Sequence, residues 1–262
     1  MRFIASTQPE AEPQFSPDGK KIVFSSNRSG THAIWICDRD GFNPVELTSF
    51  EVTNPGSPRW SPDSKWIAFD SPKAGNIDIY VISADGGPVR RVTSGPSNNT
   101  RPSWSRDGRW IYFGSNRNGD WQVWKAPAQG GRAVKVTNKG GEEAFESFDG
   151  NFVYYAKRGT AGIWAVPVEG GPETQVLNQG SESLWALTEQ GIYFGEMSGS
   201  AVPVLKFYRF ATHQVETFRE FSKQTTFDSG STAFSVSPDG QWIIYTQLDR
   251  SSSDLMLMEN YR

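Results

Sequence analysis

The chain has 262 residues, of which 36% are hydrophobic and 13% aromatic, so it can bury a large core within one domain. Its net charge of −3, with both signs interspersed, excludes the basic field that a nucleic-acid-binding segment needs. The single cysteine, Cys37, excludes an internal disulfide, and its apolar strand predicts a buried, inert thiol. No apolar run approaches the roughly 20 residues of a membrane-spanning helix.

One unit returns six times along the chain. It contains a proline or aromatic start, a turn of the Ser-Pro-Asp-Gly type, an apolar strand, a polar turn, a second strand and a short closing strand. The clearest copies begin at Pro13, Pro58, Pro102 and Phe234, and degenerate copies begin at Ala144 and Trp185. The acidic turn residues recur 40 to 50 residues apart, at Asp18, Asp63, Asp107, Asp149, Glu189 and Asp239. This period is typical of a four-stranded propeller blade.

The apolar segments are short, rich in Val, Ile, Tyr, Phe and Trp, and bounded by Gly, Pro, Asn and Asp, which favours strands and hairpins. No segment keeps a 3.6-residue apolar period over three turns. The sequence therefore predicts an all-β fold, a single six-bladed β-propeller over residues 1–262. The predicted blades are about 13–49, 58–94, 102–138, 143–178, 184–221 and 232–262.

The sixth predicted blade lacks a fourth strand, because the sequence ends at Arg262 just after the third. Residues 2–6 (RFIAS) resemble the missing strand. We expect this N-terminal strand to close the last blade, which would remove two open sheet edges. The alternative is that further blades precede Met1.

The Ser-Pro-Asp-Gly turns that lead into aromatic strands, as in WSPDSKWIAFDS (residues 60–71), resemble the WD-like repeats of TolB-type β-propellers. Residues 144–171 and 237–262 also resemble the C-terminal propeller of bacterial multidomain signalling proteins, where it follows a winged-helix regulator or a serine/threonine kinase. The sequence contains no glycine-rich phosphate loop, His-Arg-Asp catalytic loop or helix-turn-helix pattern. The resemblance implies a sensory or scaffolding module.

Few residues indicate catalysis. His32 and His213 lie in different repeats without metal-ligand spacing, and no serine occupies a Gly-x-Ser-x-Gly turn. We therefore expect no enzyme activity, no catalytic residues, no metal and no cofactor. The alternative is a carbohydrate- or peptide-processing enzyme that uses a pair of channel carboxylates. Candidates for that pair are Glu10, Glu12, Glu142, Glu143 and Glu146.

The innermost strand of each blade lines the central channel, so residues near the start of these strands converge on one mouth. The predicted ligand-binding residues there are Glu12, Arg59, Arg101, Glu143, Glu146 and Trp185, with Ser231 and Thr232 in the sixth blade. Glu146 occupies the position held by Trp60 and Trp104 in other repeats. A buried carboxylate there predicts a partner such as Arg59 or Arg101, or a cation from a ligand. A purely structural ion pair and a binding role both remain open.

We expect a protein, peptide or small-molecule ligand at this mouth, no nucleic acid, no membrane insertion and a monomer. The long fifth-blade loops at residues 196–204 and 221–230 are a second candidate contact surface. Residues 1–10 lack the basic and apolar regions of a signal peptide, so the chain as written is expected to be soluble. It would be periplasmic if it were excised from a longer, membrane-anchored protein.

Overall fold

A computed structural model describes residues 2–4, 8–48, 54–72, 75–180, 182–196, 202–222, 225–227, 234–248 and 253–259. The regular elements within these ranges are β-strands, arranged in six antiparallel sheets. Five sheets have four strands in sequence order, and the sixth has five. The all-β, six-bladed propeller is thus confirmed. The described residues contain no helix long and apolar enough to cross a bilayer.

The strands are numbered along the chain. The first is β1 (Arg2–Ile4). Blade 1 has β2 (Glu10–Phe15), β3 (Lys21–Ser26), β4 (Ala33–Asp38) and β5 (Val45–Glu46). Blade 2 has β6 (Gly56–Trp60), β7 (Trp66–Ser71), β8 (Asp78–Ser83) and β9 (Arg90–Arg91). Blade 3 has β10 (Asn99–Trp104), β11 (Trp110–Asn118), β12 (Asp120–Pro127) and β13 (Val134–Lys135).

The remaining blades follow the same plan. Blade 4 has β14 (Glu143–Glu146), β15 (Phe152–Lys157), β16 (Thr160–Pro167) and β17 (Thr174–Leu177). Blade 5 has β18 (Trp185–Leu187), β19 (Gly191–Glu196), β20 (Val204–Arg209) and β21 (Gln214–Glu220). Blade 6 has β22 (Thr226–Phe227), β23 (Phe234–Val236), β24 (Trp242–Leu248) and β25 (Ser253–Glu259).

The last blade is closed by the N-terminal strand, as predicted. Strand β1 pairs antiparallel with β25, with Arg2 opposite Met256 and Ile4 opposite Leu255. Phe3 packs against the buried cluster that contains Phe15 and Leu255, between blades 1 and 6. The ring is therefore joined through hydrogen bonds and apolar contacts between the two ends of the described chain.

The repeated turns form through their own side chains. In the first, the Ser16 hydroxyl donates to Asp18 Oδ1 at 2.6 Å, and Asp18 accepts the Lys20 amide at 3.1 Å. Gly19 adopts φ +70°, which favours glycine. Partial burial raises the pKa of Asp107 in the equivalent turn, but hydrogen bonds from Ser105 and the Arg109 amide lower it to about 2. These turn acids therefore stabilise local structure.

The hydrophobic core lies between neighbouring blades. In the cluster between blades 1 and 2, Ile67 and Phe69 pack against Val23 and Ile34, all fully buried. Each such side chain contributes about 1.5–3 kcal/mol on burial. Cys37 lies in the cluster between blades 1 and 6, so its predicted burial is confirmed, and this burial raises the pKa of the thiol to about 12.

Candidate functional site

Three inner strands carry a bulge directly before a proline. Glu12, Ser57 and Arg101 have φ of 57°, 52° and 53°, and the strand register shifts at each of them. Non-glycine residues rarely adopt this conformation, so each bulge needs support from its surroundings. The prolines at positions 13, 58 and 102 begin the repeats in the sequence, but the bulges themselves appear only in the structure.

Carboxylates of one blade hold the bulge amides of the next. The Ser57 amide donates to Glu12 Oε2 at 2.8 Å, and the Arg101 amide donates to Asp70 Oδ2 at 2.8 Å. Ser25 also donates its hydroxyl to Glu12 Oε2 at 3.1 Å. Charged acceptors make stronger hydrogen bonds than neutral ones, so these contacts fix the geometry of the channel wall where the inner strands begin.

A buried ion pair crosses the channel. Arg59 Nη2 lies 3.0 Å from Glu143 Oε1, and the two side chains are only 6% and 1% exposed. The Trp185 indole N–H donates to the other Glu143 oxygen at 3.0 Å. The Arg59 guanidinium also lies over the Phe145 ring, 5.4 Å from its centroid. Residues of blades 2, 4 and 5 are thus joined through one carboxylate.

Arg101 extends this network towards blade 5. Its guanidinium donates to Ser183 Oγ at 3.2 Å and lies 3.8 Å from both Glu142 Oε1 and Glu143 Oε2. Burial lowers the pKa of Arg101, but the surrounding carboxylates, Glu143 first, raise it overall. Burial raises the pKa of Glu142. We name this group the charged cluster, comprising Glu12, Arg59, Asp70, Arg101, Glu142 and Glu143.

Asp70 makes the stability of the charged cluster depend on pH. Burial raises its pKa to about 6, above the ordinary 3.8, with the Glu12 carboxylate adding to the effect. The folded state therefore binds this proton more tightly, and the Asp70 contribution to stability falls as pH rises from about 4 to about 6. Asp70→Asn keeps an acceptor for the Arg101 amide and should remove this loss, about 2–3 kcal/mol. Urea-unfolding midpoints of both proteins across this range measure it, and parallel curves would contradict it.

Glu146 does not pair with Arg59 or Arg101, so that expectation is wrong. Its Oε2 accepts the Tyr112 hydroxyl at 2.6 Å, and its Oε1 accepts the Arg106 amide at 3.0 Å. Burial and the neighbouring carboxylate raise the pKa of the Tyr112 phenol. Both partners belong to blade 3, so the carboxylate ties blade 4 to blade 3.

The aromatic residues at the same repeat position also join adjacent blades. The Trp60 indole N–H donates to the carbonyl of Gln14 at 3.2 Å, and the Trp104 indole N–H donates to that of Arg59 at 3.1 Å. In blade 4 the hydrogen bond runs in the opposite sense, because Glu146 is the acceptor. The position joins neighbouring blades in all three repeats, although its chemistry changes.

A cavity of about 390 Å³ opens on the face where the turns between the first and second strands converge. We call it the turn pocket. Its inner wall includes Arg59, Phe145 and Trp185, next to the charged cluster. Its rim holds the residue that follows the first position of the turn in each of the six blades: Pro17, Pro62, Arg106, Phe148, Glu189 and Pro238.

A family model, the TolB beta propeller domain, matches residues 45–183, which is more than half of the chain. The chain belongs to this family. No curated protein matches the sequence.

Solved structures share the TolB-type fold. The chain is similar to a putative TolB from Agrobacterium tumefaciens, with a TM-score of 0.71, 19% identity and coverage of 97% of this chain and 91% of that one. TolB from Acinetobacter baumannii gives a TM-score of 0.69 and 21% identity; the match covers 81% of this chain and spans only 55% of that protein.

An enzyme has a similar architecture. Oligogalacturonate lyase from Vibrio parahaemolyticus gives a TM-score of 0.70 at 11% identity, with coverage of 98% of this chain and 92% of that one. At these identities the similarity shows the fold alone, and a β-propeller hosts both binding proteins and enzymes.

The six predicted ligand-binding residues of this TolB-family propeller lie in the charged cluster, at the turn pocket or, for Arg59, in both. Glu12, Arg101 and Glu143 lie in the charged cluster, whereas Glu146 borders the turn pocket. Arg59 belongs to the cluster and, with Trp185, also lines the pocket. A role of these residues in ligand binding stays a prediction. Ser231 and Thr232 lie outside the described residues.

Sequence analysis missed Asp70, Tyr112 and most of the pocket rim. Asp70 occupies the place of Ser25 within its repeat, and a carboxylate in an otherwise apolar strand was a usable signal. Five of the rim residues were also identifiable, since each follows the serine of an aligned turn; Glu189 was aligned with the turn acids, but the blade-5 turn is shorter and places it at the rim. Within the described part of the chain, no group of three or more His, Cys, Asp and Glu side chains is placed to hold a metal ion.

Proposed function

We propose that this TolB-family propeller is a non-enzymatic binding module whose turn pocket takes a peptide segment of a protein partner. The observation that carries the proposal is the turn pocket itself, where turn residues of all six blades meet. Its volume of about 390 Å³ falls in the range of ligand-binding pockets, roughly 300–1,000 Å³, so it can hold one or more side chains of a peptide. The resemblance to propellers of bacterial signalling proteins supports a sensory or scaffolding role.

The composition of the rim favours a peptide. Pro17, Pro62 and Pro238 offer rigid apolar edges on one side, and Phe148 remains 49% exposed on the other. Exposed aromatic residues are enriched where proteins bind one another, because they bury much area at a small entropic cost. An extended segment can contact both sides of such a rim at once.

The charged cluster supports binding through rigidity. Glu143 is held by Arg59 and Trp185, and Glu12 is held by Ser25 and Ser57. A site whose wall is already ordered loses little conformational entropy when a ligand binds. These carboxylates are engaged as hydrogen-bond acceptors within the fold, which suits a scaffold better than a proton-transfer site.

A selection from a random 12-residue peptide library tests the proposal. Peptides that bind the folded chain are measured by fluorescence anisotropy against Ala186→Trp, which adds an indole to a small residue of the pocket wall. We expect peptide binding to weaken at least about tenfold, because the added indole displaces contacts between the peptide and the pocket wall. A tenfold loss corresponds to about 1.4 kcal/mol of binding free energy. Ala161→Trp, at an exposed position outside the pocket, is the matched control and should bind normally.

Equal peptide binding by wild type and Ala186→Trp, with unchanged melting temperatures, would remove the turn pocket as the binding site. A failure to select any peptide would remove peptide binding altogether. Since both variants are single Trp additions, a difference between them reports the position of the indole and not its size.

One observation favours a second function, carboxylate-based processing of a carbohydrate or peptide. Glu12 Oε2 and Asp70 Oδ1 both lie 3.4 Å from the point that a Cβ on Gly56 would occupy, so two carboxylates are neighbours in the channel. The raised pKa of Asp70 would suit a general acid. Cleavage of oligogalacturonides or peptides by the wild type, lost in Glu12→Gln and Asp70→Asn, would establish it. No turnover by the wild type leaves the pair as support for the bulges.

A further inference from the structure

The rim of the turn pocket is divided into an apolar and a charged half. The equivalent turn residues are proline in blades 6, 1 and 2, but Arg106 and Phe148 in blades 3 and 4; Glu189 lies in the shorter turn of blade 5, where the Thr188 amide donates to the Gly191 carbonyl. An aromatic ring is therefore flanked by a cation on one side and an anion on the other. The local turn requires neither Arg106 nor Phe148, since proline serves the same position in three other blades.

Arg106 is held in place. Its guanidinium lies 3.7 Å from the centroid of the Phe148 ring. Its Nε donates to the carbonyls of Glu146 and Ser147 at 3.2 and 3.3 Å, and its Nη2 donates to that of Glu146 at 3.0 Å. These contacts restrict a side chain that ordinarily keeps much rotamer freedom.

The positive charge of Arg106 has no ion-pair partner among the residues that the structure describes, although the residue is exposed. The nearby Glu146 carboxylate accepts the Arg106 amide and the Tyr112 hydroxyl instead. The Glu146 carboxylate acts on the Arg106 charge at longer range. A guanidinium that is oriented, exposed and outside any ion pair of the described residues can still bind an anionic group from outside.

Glu189 completes the charged half. It lies in the tight turn between β18 and β19, is exposed, and forms no ion pair with any described side chain. A second acidic residue in these turns, Asp239, also lines the pocket. Its carboxylate lies 2.7 Å from the Arg39 guanidinium and is therefore already paired. Glu189 is therefore the rim carboxylate placed to meet a cation.

We propose that the turn pocket selects an extended peptide segment that places an acidic side chain on Arg106, an apolar side chain on Phe148 and a basic side chain on Glu189. This inference rests on the proposed function and adds the chemistry of the ligand. Alternate side chains of an extended segment point to the same side, so the three groups would stand at every second residue. The proline half of the rim contacts the opposite edge of the segment.

The test uses the peptides selected from the random 12-residue library against the wild type. We expect them to carry an acidic residue and a basic residue on either side of an apolar one. Arg106→Glu should weaken the tightest peptide at least about tenfold, the size of one charge-assisted hydrogen bond. Glu189→Lys should weaken it several-fold. A peptide in which the acidic and basic residues are neutralised should lose affinity for the wild type by a similar factor.

Two exposed charges outside the pocket provide matched controls. Arg132→Glu and Glu220→Lys make the same changes in net charge and should bind within about twofold of the wild type, because Arg132 does not line the pocket and Glu220 lies in the outer strand of blade 5. The double variant Arg106→Glu/Glu189→Arg should restore peptide binding when the acidic and basic residues of the peptide are exchanged.

The outcomes separate the two proposals. Peptides whose binding is lost in Ala186→Trp but unchanged in Arg106→Glu would overturn the charge selectivity and keep the pocket as a binding site. The selection of peptides that need the turn pocket but carry no acidic residue would also overturn the charge selectivity and keep the pocket as a binding site. The absence of any pocket-dependent peptide would overturn the proposed function, and the inference would fall with it.

Discussion

Deletion of residues 1–6 is expected to lower the melting temperature by more than about 10 °C and to make the protein aggregate. Strand β1 provides the outer strand of blade 6, and its loss would expose the edge of β25. The deletion also removes Phe3, which packs against the cluster between blades 1 and 6. A propeller without this closure has an open blade and a weakened interface between its first and last sheets. Differential scanning fluorimetry and size-exclusion chromatography measure both effects.

Two point variants test whether the loss in melting temperature comes from the packing of Phe3 or from the shortening of the chain. Phe3→Asp places a charge against the apolar cluster and should reproduce much of the loss in melting temperature, about 5 °C or more. Phe3→Leu keeps an apolar side chain and should change little. If the deletion variant melts at the temperature of the wild type, the pairing of β1 with β25 does not stabilise the ring.

The architecture was predictable because it is encoded locally. Each Ser-x-Asp-Gly turn contains its own hydrogen-bond donors and acceptors, so a segment of five or six residues specifies where a hairpin reverses. Four such turns, a Ser-Pro-Asp-Ser variant in blade 2 and a shorter Thr-Glu-Gln-Gly turn in blade 5 then define six blades. The closing role of residues 2–4 also followed from counting strands, since only one blade lacked a fourth.

The pairing of the acidic residues in blade 4 was not predictable from their proximity in the sequence. Glu143 and Glu146 are separated by three positions in β14, so they point to opposite faces of the strand. Glu143 faces the channel and meets Arg59, whereas Glu146 faces blade 3 and meets Tyr112. The alternation of side chains along a strand therefore argues against one common acidic cluster, and it was the signal that distinguishes the two residues.

The charged cluster depends on contacts between distant repeats. Arg59 and Glu143 are 84 positions apart and belong to blades 2 and 4. Their side chains meet across the channel only when the blades have assembled into the ring. The bulges at Glu12, Ser57 and Arg101 also change the course of the inner strands. The local sequence does not predict how large this change is. The sequence analysis identified several residues of the charged cluster but not the residues that they contact.

Arg59→Met is expected to destabilise the protein by about 3–5 kcal/mol, because it removes the closer of the two cations beside the buried Glu143 carboxylate. The two side chains are 3.0 Å apart and nearly inaccessible to water. Arg101 lies 3.8 Å from the other Glu143 oxygen and cannot replace the closer contact without moving. Met keeps most of the volume and can pack on the Phe145 ring, which the guanidinium covers in the wild type, so the loss reports mainly on charge. The urea-unfolding midpoint is the measurement.

The double variant Arg59→Met/Glu143→Gln decides whether the loss comes from the Glu143 charge, which has lost its closer cation. The substituted glutamine carries no charge but still offers an oxygen to the Trp185 indole, which donates to Glu143 at 3.0 Å in the wild type. We expect the double variant to recover most of the stability that Arg59→Met loses, because neutral groups of similar shape can replace a buried ion pair. A double variant no more stable than Arg59→Met would show that Arg59 acts through packing. A single variant within about 1 kcal/mol of the wild type would show that the pair contributes little net stability to the ring.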